Sequence, residues 1–284
     1  MKIVTYGEML WDVYPDKKCI GGAPLNFSAH LSRHGENVSL MSAVGDDELG
    51  RELSEQIDAW GINQQYIAVL DNKETGKCLV TLDKNSVPMY NLLDDVAWDY
   101  IENESIFNEK TDVLYLGTLA LRSESNYAFI KRLLSCADIG EVFVDVNIRK
   151  PFYTEDRIRL LAENATILKI SDEELPVICD ALSLDESDYK KVAQSLGVRY
   201  RNLKLILITL GDKGAYLYDN VNNADCECRG EKVDVVSTVG AGDSFSAAFL
   251  HKYLRGEKLS ECLKYAVHIS AYVCSFYEAV PEYR

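Results

Sequence analysis

VVSTVGAGDSFSAAF, residues 235–249, passes from extended chain through two glycines into a run of small residues. Residues 232–236 read as extended, Gly240 and Gly242 flank Ala241 in a turn, and Asp243 opens a helix through Phe249. The first amides of a helix lack intrahelical partners and lie at the positive end of its dipole, so glycines there let an anion approach the backbone. An Asp beside such an anion is repelled by it and is worth building only for a task. Read alone, the segment is equally a tight glycine turn with an ordinary helix-initiating carboxylate.

The rest of the chain narrows the choice. Its 284 residues suffice for one large α/β domain with an appendage or for two modest domains, and 47% hydrophobic residues supply a core. Thirty basic against forty-five acidic side chains give a net charge of −15, which argues against nucleic acid or an anionic membrane as partner. No apolar run is long enough to span a bilayer, and the first ten residues, MKIVTYGEML, do not have the form of a secretion signal. Eight scattered cysteines, of which only Cys226 and Cys228 are close, fit free thiols in a reducing cytoplasm better than a metal site.

Strand-like and helix-like segments alternate along most of the length. Strands are expected over residues 2–6, 10–14, 38–44, 113–116, 142–145, 167–170, 204–209 and 215–218. Helices are expected over 25–34, 48–60, 124–137, 155–163, 172–179, 186–196 and 259–277. That alternation predicts a parallel sheet with crossover helices. Residues 66–70, 77–82 and 87–92 break the rule as three strands without a helix between them, and predict an antiparallel lid or dimerisation sheet with Tyr66, Val80, Met89 and Tyr90 on a covered face. Ligands gather at the strand ends of such sheets, where Asp12, Asn147, Lys169 and Thr209 fall.

Four runs stand in one order: Gly21-Gly22-Ala23-Pro24-x-Asn26, Val44-Gly45-Asp46-Asp47-x-Leu49-Gly50, Asp145-x-Asn147-x-Arg149, and Thr238-Val239-Gly240-Ala241-Gly242-Asp243. On these the chain resembles the ribokinase (PfkB) family of carbohydrate kinases over essentially its whole length, and within it the fructokinases. The resemblance implies a ribokinase-like three-layer α/β/α fold in a single domain, with a small β-sheet lid from about residues 10–20 and 66–93. It implies ATP-dependent phosphorylation of a sugar hydroxyl. Carried over by position, Asp243 would be the base, the amides of Ala241, Gly242 and Asp243 would form the anion hole, and Gly240 would belong to the same catalytic turn. Asp12, Gly21, Gly22, Asn26, Asn147 and Arg149 would bind the sugar. Lys169, Thr209, Gly211, Gly214 and Thr238 would line the nucleotide, and Glu174 would place Mg²⁺ through water. Many relatives pair through the lid, so a homodimer is a further expectation.

The chemistry agrees with these residue types. Phosphoryl transfer needs positioning and charge neutralisation, which amides, a helix dipole and a metal supply, plus a base within reach of the hydroxyl. Some positions depart from the family's pattern. Ser237 stands where an Asp helps to hold a monovalent cation, and Glu278 stands where a Gly is common, so K⁺ is left unassigned. Ser171 and Val146 replace a usual Asn and Pro, and Asn91 stands in place of a lid Arg that many fructokinases carry. The alternatives are a 2-keto-3-deoxygluconate kinase, with Arg122 or Arg149 for the substrate carboxylate, another sugar or nucleoside kinase, and a non-catalytic sensor on the same fold. A nicotinamide enzyme is remote, because no G-x-G-x-x-G follows the first strand.

Overall fold

The computed structural model describes residues 1–82, 88–185 and 188–283, without the side chains of residues 82 and 88–90. Val87 and Glu186, expected as element starts, and the Met89 and Tyr90 side chains lie outside the described residues. Nine strands form the central sheet in the order β13-β12-β11-β10-β9-β8-β1-β4-β5. β1 (Ile3–Tyr6), β4 (Val38–Gly45), β5 (Asn63–Leu70), β8 (Thr111–Leu116), β9 (Ile139–Asp145), β10 (Ile167–Ser171) and β11 (Leu205–Thr209) run parallel. β12 (Gly214–Asp219) and β13 (Ala224–Arg229) turn back antiparallel at one edge.

Alternation along the strands divides the core. Ile3, Val113, Tyr115, Leu205 and Leu207 face α1 (Ala23–Arg33), α2 (Glu48–Ala59), α7 (Ala241–Tyr253) and α8 (Leu259–Val273). Val4, Tyr6, Leu114, Leu116, Ile206 and Ile208 face α3 (Glu124–Cys136), α4 (Glu155–Asn164), α5 (Leu175–Ala181) and α6 (Tyr189–Arg199). A sheet covered on both sides needs apolar residues at both parities, and these strands supply them. The result is the expected three-layer α/β/α architecture beside a separate small sheet.

The small sheet differs from expectation. It has four strands in the order β3-β2-β6-β7, built from β2 (Leu10–Val13), β3 (Lys18–Gly21), β6 (Lys77–Leu82) and β7 (Pro88–Leu92). Residues 66–70, read as part of the lid meander, belong to β5 and pair in parallel with β4. The helix that puts β5 there, α2, precedes it, so the β4–α2–β5 unit is one more crossover. Residues 232–236 form no strand, and the edge beside β12 is taken instead by β13, whose alternating Cys226 and Cys228 face inward.

Asp47 joins the two sheets. It caps α2 by accepting from the Gly50 amide at 2.8 Å, and the same carboxylate accepts from the Thr75 amide and hydroxyl at 2.8 and 2.7 Å, just before β6. Replacing it removes a helix cap and leaves two buried donors of Thr75 unpaired. Asp47→Ala is expected to lose about 2 kcal/mol of stability in urea unfolding; a loss below about 0.5 kcal/mol would mean the junction is not held here.

Candidate active site

Helix α7 begins at the end of the central sheet with Gly240 as its N-cap in the left-handed region, φ 80°. A Cβ at Gly240 would lie 2.4 Å from the carbonyl oxygen of Ala279, so the turn admits only glycine. The amide of Ala241 donates back to the Thr238 carbonyl at 3.2 Å. The amides of Gly242 and Asp243 have no partner among the described residues, so two donors, rather than the three of the sequence reading, are open at the positive end of this helix.

Asp243 stands in that first turn. Its Oδ2 accepts from Asn26 Nδ2 at 2.8 Å, which joins α7 to the first turn of α1. A carboxylate accepts only, so the Asn26 amide orientation is set, and its Oδ1 is left buried without a partner. A buried orphan acceptor is costly, and a ligand hydroxyl would satisfy it. Asp243 is enclosed by protein on most sides yet keeps an accessible face. Burial pushes its carboxyl up to about 6, against the Asn26 hydrogen bond and with a contribution from Asp145.

Asp145 and Lys169 sit beneath. The ammonium donates to Asp145 Oδ1 at 3.0 Å, and Ser246 of α7 donates to Oδ2 at 2.9 Å. Burial opposes the charge on Lys169, but Asp145 and Glu174 outweigh it and hold the group protonated. A Cβ on Gly242 would stand 3.3 Å from this ammonium, which places the cation directly behind the open amides. Glu174 is engaged with backbone: Oε1 accepts from Ile148 and Oε2 from Ser171, each at 2.7 Å. It clasps the end of β10 to the loop after β9, a role the sequence did not reveal.

Among the residues expected at a sugar, Asp12 of β2 lies across from β3, where a Cβ on Gly21 would be 2.6 Å from Asp12 Oδ2. Gly22, φ 114°, passes so near Glu8 that a Cβ would meet its carbonyl at 2.4 Å. Asn147 occupies the left-handed region at φ 43° immediately past β9, a rare state for a side-chain-bearing residue that marks strained site geometry. Arg149 is exposed and has no hydrogen bond or ion pair from its guanidinium among the described residues, while its charge acts on Glu8, Asp12 and Asp243. Arg122 is engaged largely by the protein itself. It is bidentate on Asp99 at 2.8 Å, stacks over Trp98 at 3.9 Å, and is almost fully buried.

Glu8 is the site residue that sequence reading missed. It is 4% exposed and accepts from the Ala23 amide at the start of α1 at 3.3 Å. Burial raises its carboxyl to about 7, with Asp243 adding to the rise. An acidic residue directly after a short buried strand was the available signal, but nothing local showed that α1 returns to cover it.

The nucleotide-side residues are less concentrated. Thr209 lies beside Ser171 at adjoining strand ends. Gly211 is exposed on the turn, whereas Gly214 is buried, with a Cβ there only 2.0 Å from the Cys228 carbonyl. Gly214 therefore serves the approach of β13 and presents no open surface. Thr238 is exposed and holds the Ala241 amide. A cavity of about 420 Å³ opens beside this turn, lined in part by Asp172, Leu210, Lys213, Glu227 and Arg229. Ser237 Oγ accepts from the Val239 amide at 3.2 Å, and Glu278 is exposed without a polar partner among the described residues.

A helix start with two open amides, a carboxylate of raised pKa in its first turn and an unpartnered acceptor on Asn26 suit the transfer of a phosphoryl group to a hydroxyl. Comparison makes this specific. The pfkB family carbohydrate kinase pattern matches residues 3–281, and the chain belongs to that family. It is an ATP-dependent carbohydrate kinase. It is 30% identical over 271 residues to a probable fructokinase-5 of Arabidopsis thaliana, covering 87% of this chain and 81% of that one. An uncharacterized sugar kinase of Pyrococcus horikoshii, solved in complex with ATP, superposes with a TM-score of 0.79 at 28% identity, over 98% of this chain and 94% of that one. A fructokinase of Vibrio cholerae O395, bound to fructose, ADP and a calcium ion, shares the fold with a TM-score of 0.82 at 21% identity, over 98% and 94% of the two chains.

The raised Asp243 carboxyl gives a pH dependence with a definite sign. A base must be deprotonated in the free enzyme, so kcat/KM is expected to fall about tenfold per pH unit below about pH 6 and to level off above it. A limb near pH 4, the ordinary range for an Asp, would detach the activity from this group. Glu8 gives a second test. Its folded-state value lies above its ordinary one, so the stability it contributes is complete below about pH 4.5 and is lost as pH rises through about 7. Glu8→Gln is expected to gain stability relative to wild type across that window, by about 2–3 kcal/mol, with equal offsets at pH 4 and 8 as the contrary result.

Proposed function

We propose that this kinase phosphorylates a primary hydroxyl of a ketose, with fructose to fructose 6-phosphate as the leading reaction. The observation that carries the proposal is Asn26: one end of its amide holds Asp243, and the other is a buried acceptor left for a ligand hydroxyl. In this reading Asp243 takes the proton of the attacking hydroxyl. The Gly242 and Asp243 amides, backed by Lys169, stabilise the phosphoryl group in flight. Asp12, Gly21, Gly22 and Asn147 shape the sugar pocket, Thr209, Gly211 and Thr238 border the nucleotide, and the small sheet closes over both as a lid. Two copies packing lid to lid, in a reducing cytoplasm suited to eight free cysteines, complete the picture.

Glu8, Asp145, Glu174 and Asp243 set several acidic groups around Lys169 and Arg149. A triphosphate meeting that set needs a cation with it. No group of three or more His, Cys, Asp or Glu among the described residues could hold a metal. In this reading a Mg²⁺ would be carried chiefly by the nucleotide phosphates and neutralise their charge, with Glu174, whose carboxylate lies at the ends of β9 and β10, contributing through water.

A second reading is favoured by one observation. Arg149 has no hydrogen bond or ion pair from its guanidinium among the described residues, its charge acts on Asp12 and Asp243, and it suits the carboxylate of a keto-deoxy sugar acid. ATP consumption across ketoses, aldoses, nucleosides and keto-deoxy acids separates the two, since Arg149→Met should depress turnover of the acid far more than of fructose. Asp243→Ala is expected to lower kcat by about 10²–10⁴-fold with ATP still bound. Near-normal activity in that variant, or no ATP consumption by wild type with any sugar, would remove the proposal.

A further inference from the structure

We infer that His30 is a positioning residue for phosphoryl transfer, fixing the anion-binding turn of α7 through the carbonyl oxygen of Ala279. The inference rests on the kinase reading above.

His30 lies one helical turn after Asn26 on α1, on the same face, and is fully buried. Its Nε2 is 3.0 Å from the Ala279 carbonyl oxygen and its Nδ1 is 2.5 Å from the Tyr283 hydroxyl. A carbonyl only accepts, so Nε2 carries the proton. Burial lowers the imidazole to about 3, with His34 and Arg33 assisting, so the ring is neutral and Nδ1 accepts from Tyr283. The tautomer is thus set by its two partners.

The Ala279 oxygen that His30 grips is the same atom that comes within 2.4 Å of where a Gly240 Cβ would be. α1 therefore holds the start of α7 at two points one turn apart: Asn26 holds the Asp243 carboxylate directly, and His30 holds Gly240 through Ala279. Gly240 is the left-handed residue that aims the Gly242 and Asp243 amides. Without the imidazole donor, Ala279 loses a buried hydrogen bond and the wall against Gly240 is no longer fixed. A shift of about 1 Å in groups that position a reacting atom costs on the order of 10²-fold in rate.

Arg33 supplies the control. It ties the same segment by donating to the Val280 carbonyl at 3.2 Å, with no hydrogen bond to Ala279 among the described residues. Steady-state kinetics on the full chain, normalised to folded protein, should give His30→Met a kcat about 10–100-fold below wild type, with KM for sugar and ATP within about threefold. His30→Gln, whose amide can still donate to Ala279, should recover most of that loss. Arg33→Met should lower the melting temperature yet keep kcat within about threefold. Tyr283→Phe, which removes the hydroxyl that anchors the ring at Nδ1 and lets the imidazole turn away from Ala279, should lose at least about threefold and keeps the test open if His30→Met does not fold. Hydrogen exchange at the Ala241 and Ser244 amides, bonded to Thr238 and Gly240, reads the same displacement without any turnover. It should accelerate in His30→Met and return towards wild type in His30→Gln. The inference is overturned if His30→Met keeps its kcat and its exchange rates, if Arg33→Met loses as much activity, or if Gln is no better than Met. A wild type that consumes ATP with no sugar would instead remove the kinase reading, and the exchange rates would still decide the role of His30.

Discussion

The hydrogen bond from Asn26 to Asp243 joins two side chains 217 residues apart in the chain and brings together the starts of two helices. Each helix begins at a glycine whose backbone L-residues rarely adopt, Gly22 before α1 and Gly240 before α7. Both glycines are packed against carbonyl oxygens, of Glu8 and Ala279, that would clash with a side chain. The constraint is reciprocal: the two helix starts come close because the turns are tight, and the turns are held because the helices bond to each other.

Electrostatics follow from that enclosure. Asp243 and Glu8 are both raised, chiefly by burial, and each adds to the rise of a neighbour. For Asp243 burial lifts the carboxyl to about 6 and the Asn26 amide offsets only part of the rise, which suits a group that must take up and release a proton. The Lys169–Asp145 pair serves another purpose. Asp145 accepts from Lys169 on one oxygen and from Ser246 on the other, and the ammonium stands behind the open amides as a fixed positive end. A buried pair of this kind is retained less for net stability than for where it puts its charge.

What could be read from the sequence was what local chemistry determines. The glycine turn and the helix start at Asp243 announce themselves within a few residues, through turn and capping rules, whereas the roles of Asp243 and Asn26 came only with the resemblance. Most alternating strands and helices were legible for the same reason. β5 was misplaced because a short strand between polar turns looks alike in a meander and in a crossover, and only its pairing with β4 decides. β13 was missed because an edge strand that is mostly exposed, ADCECR, carries little apolar signal. Glu8, the clasp made by Glu174 and the ties of His30 were illegible because each depends on a partner brought close only by the finished fold. Arg122, plausible as a ligand contact by type, proved committed to Asp99 and Trp98.

The central claim is that Asp243 faces the reacting hydroxyl while the amides at the start of α7 face the phosphoryl group. A crystal structure with fructose and a non-hydrolysable ATP analogue tests it most directly. The account predicts a sugar hydroxyl oxygen about 2.6–3.2 Å from an Asp243 carboxylate oxygen, a second hydroxyl on Asn26 Oδ1, and the γ-phosphoryl group against Gly242 and Asp243. A sugar seated with no hydroxyl within reach of Asp243, or a triphosphate that ends away from α7, would contradict it.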